Sequence, residues 1–109
     1  MRQEGGHKVL YVANCGDTRA VVSRSGKAER LSYDHRATDF AEQDRIKFEG
    51  GVVVNDRVGG SLAITRAFGD HSLRKQGVVS TPSVKKITLK PFDKYFIIAS
   101  DGVWDALED

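Results

Sequence analysis

The sequence predicts an α+β fold built mainly on antiparallel strand neighbours. Two observations predict it. Short apolar runs rich in β-branched and aromatic residues recur along the chain, separated by turn-length links carrying Gly, Asn, Asp or Pro. Only one segment, residues 39–49, carries the start and stop signals of a helix. Strands dominate and the helix is a crossover between them, so an all-β reading fails only on that helix.

Taken in order, Val9, Leu10, Tyr11, Val12 and Ala13 form an unbroken apolar run, which reads as the first strand, covered on both faces. Asn14, Cys15, Gly16 and Asp17 have turn chemistry, and residues 19–24 read as a second strand. The short link predicts an antiparallel hairpin between the two. A further turn at residues 24–27 leads to an edge strand at residues 28–31, completing a meander. Asp39 is placed to cap a helix, with Glu42 three residues on to close a capping box. Phe40, Ala41, Ile46 and Phe48 are its expected buried side, and Gly50 and Gly51 its stop.

Val52, Val53 and Val54 form a short strand ending in an Asn55-Asp56 turn. Gly59 and Gly60 lack the Lys-Ser/Thr tail of a phosphate loop and are read as permitting a close backbone approach. Arg66 and Asp70 are candidates for a structural ion pair. Residues 71–77 read as a surface loop, and residues 78–82, stopped by Pro82, as an edge strand or none. Residues 83–90 carry an interrupted period of two, consistent with a half-exposed, bulged strand. The last apolar run, Tyr95 to Ala99, reads as a buried strand.

Composition bounds the possibilities. One hundred and nine residues make a single domain, residues 1–109, that buries roughly two thirds of its unfolded surface. Seventeen basic and fifteen acidic residues leave a net charge of +2 with no basic patch, which disfavours nucleic acid and anionic membrane partners. One cysteine excludes an internal disulfide and suits a reducing, intracellular compartment, cytoplasmic or nuclear. Neither a signal-peptide core nor an apolar run of membrane-spanning length is visible. The abrupt ends predict a piece of a longer protein.

The candidates for chemistry are acidic. Asp101 stands where the last apolar run stops, and Gly102 beside it permits a sharp change of direction. Asp105 follows four residues on, in what reads as the first turn of a helix. Asp17 lies on the turn after the first strand. Asp101 and Asp105 each read equally well as a turn former or cap and as an oxygen ligand for a hard cation. Converging carboxylates repel one another, and a divalent Mg²⁺ or Mn²⁺ removes that repulsion. Cys15 reads as a small buried apolar side chain, since no histidine near it in sequence would activate a nucleophilic thiol. His35 reads as a structural histidine hydrogen-bonded within its loop with Asp34, with a general-base role as the alternative.

Five stretches form a wider pattern: residues 13–20 (from Ala13-Asn14-Cys15-Gly16-Asp17 to Ala20), 31–35, Arg45-Ile46 with Gly50-Gly51, 57–70, and 99–105 (ending Asp101-Gly102-Val103-Trp104-Asp105). In this order and spacing the chain resembles the metal-dependent serine/threonine protein phosphatases of type 2C. The resemblance implies a mostly antiparallel β-sandwich flanked by helices, with a dinuclear Mn²⁺ or Mg²⁺ centre between the sheets. It also implies hydrolysis of phosphoserine or phosphothreonine by a metal-bound hydroxide. By this likeness Asp101 is a ligand of the dinuclear centre. Asp17, Asp101 and Asp105 surround a weaker third metal position. Arg66, Gly69 and Asp70 belong to the signature segment and read as framework.

The departures are as informative. The family's upstream ligand Glu, its Asp-Gly-His segment and its phosphate-binding Arg have no counterpart here. Its last ligand Asp lies past Asp109. Ala37 stands where the family usually has Pro, which predicts a looser loop, and Thr65 replaces a common Ser. Two functional classes follow: a phosphatase acting on phosphoproteins, of which this is a part, or an inactive phosphatase-fold module. Unpaired sheet edges predict self-association, with a swapped dimer as one form.

Overall fold

A computed structural model describes residues 1–109. The strands are β1 (Arg2–Glu4), β2 (His7–Asn14), β3 (Arg19–Arg24), β4 (Lys27–Arg30), β5 (Val53–Val54), β6 (Arg57–Val58), β7 (Ser83–Thr88) and β8 (Asp93–Ala99). The helices are α1 (Phe40–Phe48) and α2 (Asp101–Trp104), with a 3-10 helix at His71–Gln76. The chain divides into two compact units. The first holds residues 1–14, 18–33 and 83–109; the second holds residues 15–17 and 34–82.

The first unit is two three-stranded antiparallel sheets, β1-β2-β7 and β4-β3-β8. Their facing side chains make its core: Ala20 and Val22 from β3, Leu31, and Ile87 from β7, with Leu10 and Val12 of β2 against them. The mixed, mainly antiparallel α+β class predicted from the sequence is present. The hairpin between β2 and β3 is not. Each strand pairs instead across a two-residue turn of positive φ: β1 with β2 through Gly5-Gly6, β3 with β4 through Ser25-Gly26. Such turns match the twist of paired strands, and the longer 15–18 link has no such geometry. β1 escaped the sequence reading because Arg2, Gln3 and Glu4 carry no apolar signal.

Burial differs too. β2 is not covered along both faces: Val9 is buried, but Tyr11, two residues on along the same face, is exposed. β8 is an edge strand, and Tyr95, Phe96, Ile97 and Ile98 are all exposed, so it is not the buried strand its composition predicts. An apolar run reports what a strand is able to bury, not whether neighbours lie on both its sides. The pairing of β2 with β7 is unbroken from Val9↔Thr88 to Asn14↔Ser83. The register shift falls in β3 and β8, between Ser23 and Arg24.

The second unit gathers α1, the β5–β6 hairpin and the 3-10 helix around Ala37, Ile46, Val58, Ala67 and Val78. Asp39 caps α1, its carboxylate accepting from Glu42 N–H at 3.1 Å. The predicted buried side is largely wrong. Ile46 is fully buried, but Phe40 and Phe48 are 80% and 90% exposed, and the helix buries Glu42 instead. Asn55 and Asp56 both take positive φ, as the tight β5–β6 turn requires. The segment at residues 71–76 is a 3-10 helix rather than an open loop, and residues 78–82 make a single bridge, Arg66 to Val79, in place of a strand. Close backbone approach falls at Gly51, where an added Cβ would stand 2.0 Å from the Gln76 carbonyl oxygen. Gly59 and Gly60 serve positive-φ turns.

Candidate functional site

In the first unit β8 delivers the chain to α2. Ser100, extended at φ −76° and ψ 178°, makes the change of direction. Gly102, assigned that role from the sequence, lies inside the helix without a positive φ. Asp101 opens α2, and Asp105 follows its last residue rather than lying in its first turn; the Asp105 N–H donates to the Asp101 carbonyl at 2.8 Å. Residues four apart on a helical turn share a face, and both carboxylates are exposed. Trp104 anchors the turn, its Nε1–H donating to the Ala99 carbonyl at 2.8 Å. The Arg19 guanidinium lies over the Trp104 ring, 5.3 Å from its centroid, and pairs with Asp109. Arg30 Nε meets the second Asp109 oxygen at 2.7 Å. The Arg30 hydrogen bond, joined by Arg19, outweighs the upward push from burial and holds the Asp109 carboxyl below the ordinary aspartate range.

Asp17 belongs to the second unit. Its carboxylate stands 3.5 Å from Arg36 Nε. The turn that carries it is pinned by His35 in both directions. Gly16 N–H donates to His35 Nδ1 at 3.1 Å, and His35 N–H donates to the Gly16 carbonyl at 2.8 Å. Gly16 sits at φ +112°, and an added Cβ would press the Arg66 carbonyl oxygen at 3.3 Å. His35 is fully buried. Burial, then the Arg66 charge, push its pKa down, so it is a neutral structural group. The Cys15 thiol faces the Val79 carbonyl, and burial raises its pKa, which opposes thiolate chemistry.

Sequence reasoning missed a buried ion network in the second unit. The buried Glu42 carboxylate is held by Arg45 Nε at 2.8 Å on one oxygen and by Arg66 on the other. Arg45 also donates to the carbonyls of Gly77 and Thr65, and Arg66 to that of Thr81. Arg66 therefore pairs with Glu42, not with Asp70, which is exposed at φ 49°. Its framework role follows from this net of carbonyls. Ala37 is fully buried and its N–H donates to the Ala63 carbonyl at 2.8 Å, a tie that a proline could not make. The predicted loosening at Ala37 is not found.

The carboxylates of Asp101 and Asp105 suit a hard divalent cation in kind. In number they fall short: no group of three or more His, Cys, Asp or Glu side chains is placed to hold a metal ion. These residues do not by themselves complete a metal centre.

The stacked antiparallel sheets and the Asp-Gly-Val-Trp-Asp turn at a strand end define a class. The chain belongs to the protein phosphatase 2C family, whose model matches residues 3–109. It is 47% identical to protein phosphatase 2C homolog 1 of Schizosaccharomyces pombe, a match covering 94% of this chain and 29% of that protein. It is 49% identical to probable protein phosphatase 2C 32 of Oryza sativa, covering 98% of this chain and 27% of that one. Among solved structures, a phosphatase of Toxoplasma gondii superposes with a TM-score of 0.78 at 34% identity, over 89% of this chain and 32% of that chain. The chain thus spans about a third or less of the length of these relatives. No helix is long and apolar enough to cross a membrane.

Proposed function

We propose that the native protein carrying this sequence is a metal-dependent protein serine/threonine phosphatase, and that residues 1–109 are one partial catalytic domain of it. The single observation that carries this reading is the family match across residues 3–109. Its substrates are phosphoserine and phosphothreonine in other proteins, and its compartment is the cytoplasm or nucleus, which the lone thiol of Cys15 suits. Asp101 is assigned as a carboxylate ligand of the Mn²⁺ or Mg²⁺ centre, with Asp17 and Asp105 around a weaker metal position. The cation supplies Lewis-acid polarisation of a phosphoryl group. This chain's part is to hold carboxylates ready: β8 brings Asp101 to its tip, and Trp104 fastens the turn behind it.

The test is Mn²⁺-dependent hydrolysis of a phosphothreonine peptide, by the native protein and by the 109-residue chain, each with an Asp101→Asn counterpart. The native protein is expected to turn over, and the substitution to cost on the order of a hundredfold or more. A native protein without Mn²⁺-dependent turnover overturns the reading.

A second reading concerns the 109-residue chain alone: a catalytically inactive module that self-associates. The exposed apolar edge of β8 favours it. Light scattering showing a compact monomer at high concentration would sink it.

A further inference from the structure

We propose that Arg19 is a positioning residue for the α2 carboxylates, its guanidinium clamping the 101–109 turn onto the end of β8 through Trp104 and Asp109. The proposal rests on the ligand reading of Asp101 and Asp105 and adds the residue that orients them. α2 has only four residues, far fewer than a helix needs to persist alone. It has no side-chain N-cap and buries none of its residues. Its orientation must come from tertiary contacts, and one closed circuit of them runs through Arg19. β3 pairs Arg19 with Ala99. The Ala99 carbonyl accepts from Trp104 Nε1–H, and the Trp104 ring carries the Arg19 guanidinium. The same guanidinium pairs with Asp109, which Arg30 grips from β4. The turn is thereby held at both ends, with Asp101 and Asp105 between them. The Arg19 side chain is only 11% exposed, so solvent competes weakly for it. A planar guanidinium stacks on an indole while donating from its edge, which a lysine ammonium does not do.

The experiment uses the native protein with Arg19→Met, Arg19→Lys and Asp109→Ala. Amide exchange is read without metal at Asp105 and Leu107, whose N–H groups bond to the Asp101 and Val103 carbonyls. Mn²⁺ affinity is read by calorimetry. Arg19→Met is expected to speed exchange at both amides about tenfold, with the α1 amide of Gln43 unchanged, and to weaken Mn²⁺ binding about tenfold. Lysine should rescue neither in full. Asp109→Ala leaves β3 intact and should move both readouts the same way by less, which keeps the test decisive if Arg19→Met does not fold. Parental exchange at Asp105 and Leu107, or parental Mn²⁺ affinity with loosened amides, overturns the positioning role. Asp101→Asn with parental Mn²⁺ affinity overturns the ligand reading itself, whatever the exchange data show.

Discussion

Arg66 closes on Glu42 with two nitrogens at once: Nε stands 2.9 Å and Nη2 2.8 Å from the same carboxylate oxygen. Arg45 holds the other oxygen. Glu42 is 3% exposed, so its charge survives out of water only because two guanidiniums face it. The same two arginines tie down the carbonyls of Thr65, Gly77 and Thr81. One carboxylate thus fixes the position of three backbone segments of the second unit.

Removing it should therefore cost more than a hydrogen bond. Glu42→Ala leaves two guanidiniums facing a cavity, and breaking a buried pair by losing one partner costs about 3–5 kcal/mol. Glu42→Gln keeps an acceptor of the same shape and should lose less. Urea unfolding of the two variants beside the parent measures the difference. Equal midpoints for parent and Glu42→Ala would show the network to be dispensable.

Acid should weaken the second unit in two stages. Burial, then the Arg66 charge, depress the His35 pKa, and Nδ1 must be unprotonated to accept from Gly16 N–H. The unfolded chain then binds a proton that the folded chain refuses. Stability is full above the ordinary histidine pKa of about 6.5 and falls as pH drops from there toward the lower folded value. Burial pushes the Glu42 carboxyl up, but the Arg45 and Arg66 hydrogen bonds outweigh it, leaving a net lowering. Its contribution is present above the ordinary glutamate pKa and is lost as pH falls through the lower folded one. Thermal midpoints measured from pH 8 to pH 3 should fall in both windows. A flat profile between pH 7 and pH 5 would contradict the account of His35.

What the sequence made legible was local. The Asp39 cap, the Asn55-Asp56 turn and the end of β8 before Asp101 depend on residues within a few positions of one another. Burial was not legible in that way. Phe40 and Phe48 look like core, and β8 looks covered, because composition records capacity rather than neighbours. Glu42 and Arg66 are 24 residues apart and meet only through the fold. Of the candidate site, the shared face of Asp101 and Asp105 could be read from their spacing and the apolar run before them. The role of Arg19 could not, since strand pairing alone brings it to Ala99 and so to Trp104.

Gly51 should tolerate nothing larger. An alanine Cβ there would lie 2.0 Å from the Gln76 carbonyl oxygen and 2.7 Å from its carbon, and both belong to backbone that cannot rotate aside. Gly51→Ala must push the end of α1 away from the 3-10 helix, a cost of about 1–3 kcal/mol or more. Gly60→Ala has open space and meets only the strain of φ +74°, about 1 kcal/mol. Denaturation should rank Gly51→Ala well below Gly60→Ala, and the reverse order would refute the close approach.

Ile98 offers the cleanest test of the β8 edge. It is 73% exposed on a strand with a single pairing partner, β3. Beside it Tyr95, Phe96 and Ile97 are exposed too. Unpaired N–H and C=O groups lined with apolar side chains invite another chain's strand, and a charge on the edge opposes it, because pairing would bury that charge. Ile98→Lys removes little from the folded core while charging the edge. The 109-residue chain should associate as its concentration rises, and the variant should remain monomeric at the same concentration with an unchanged circular dichroism spectrum. If parent and variant scatter alike, association does not run through β8.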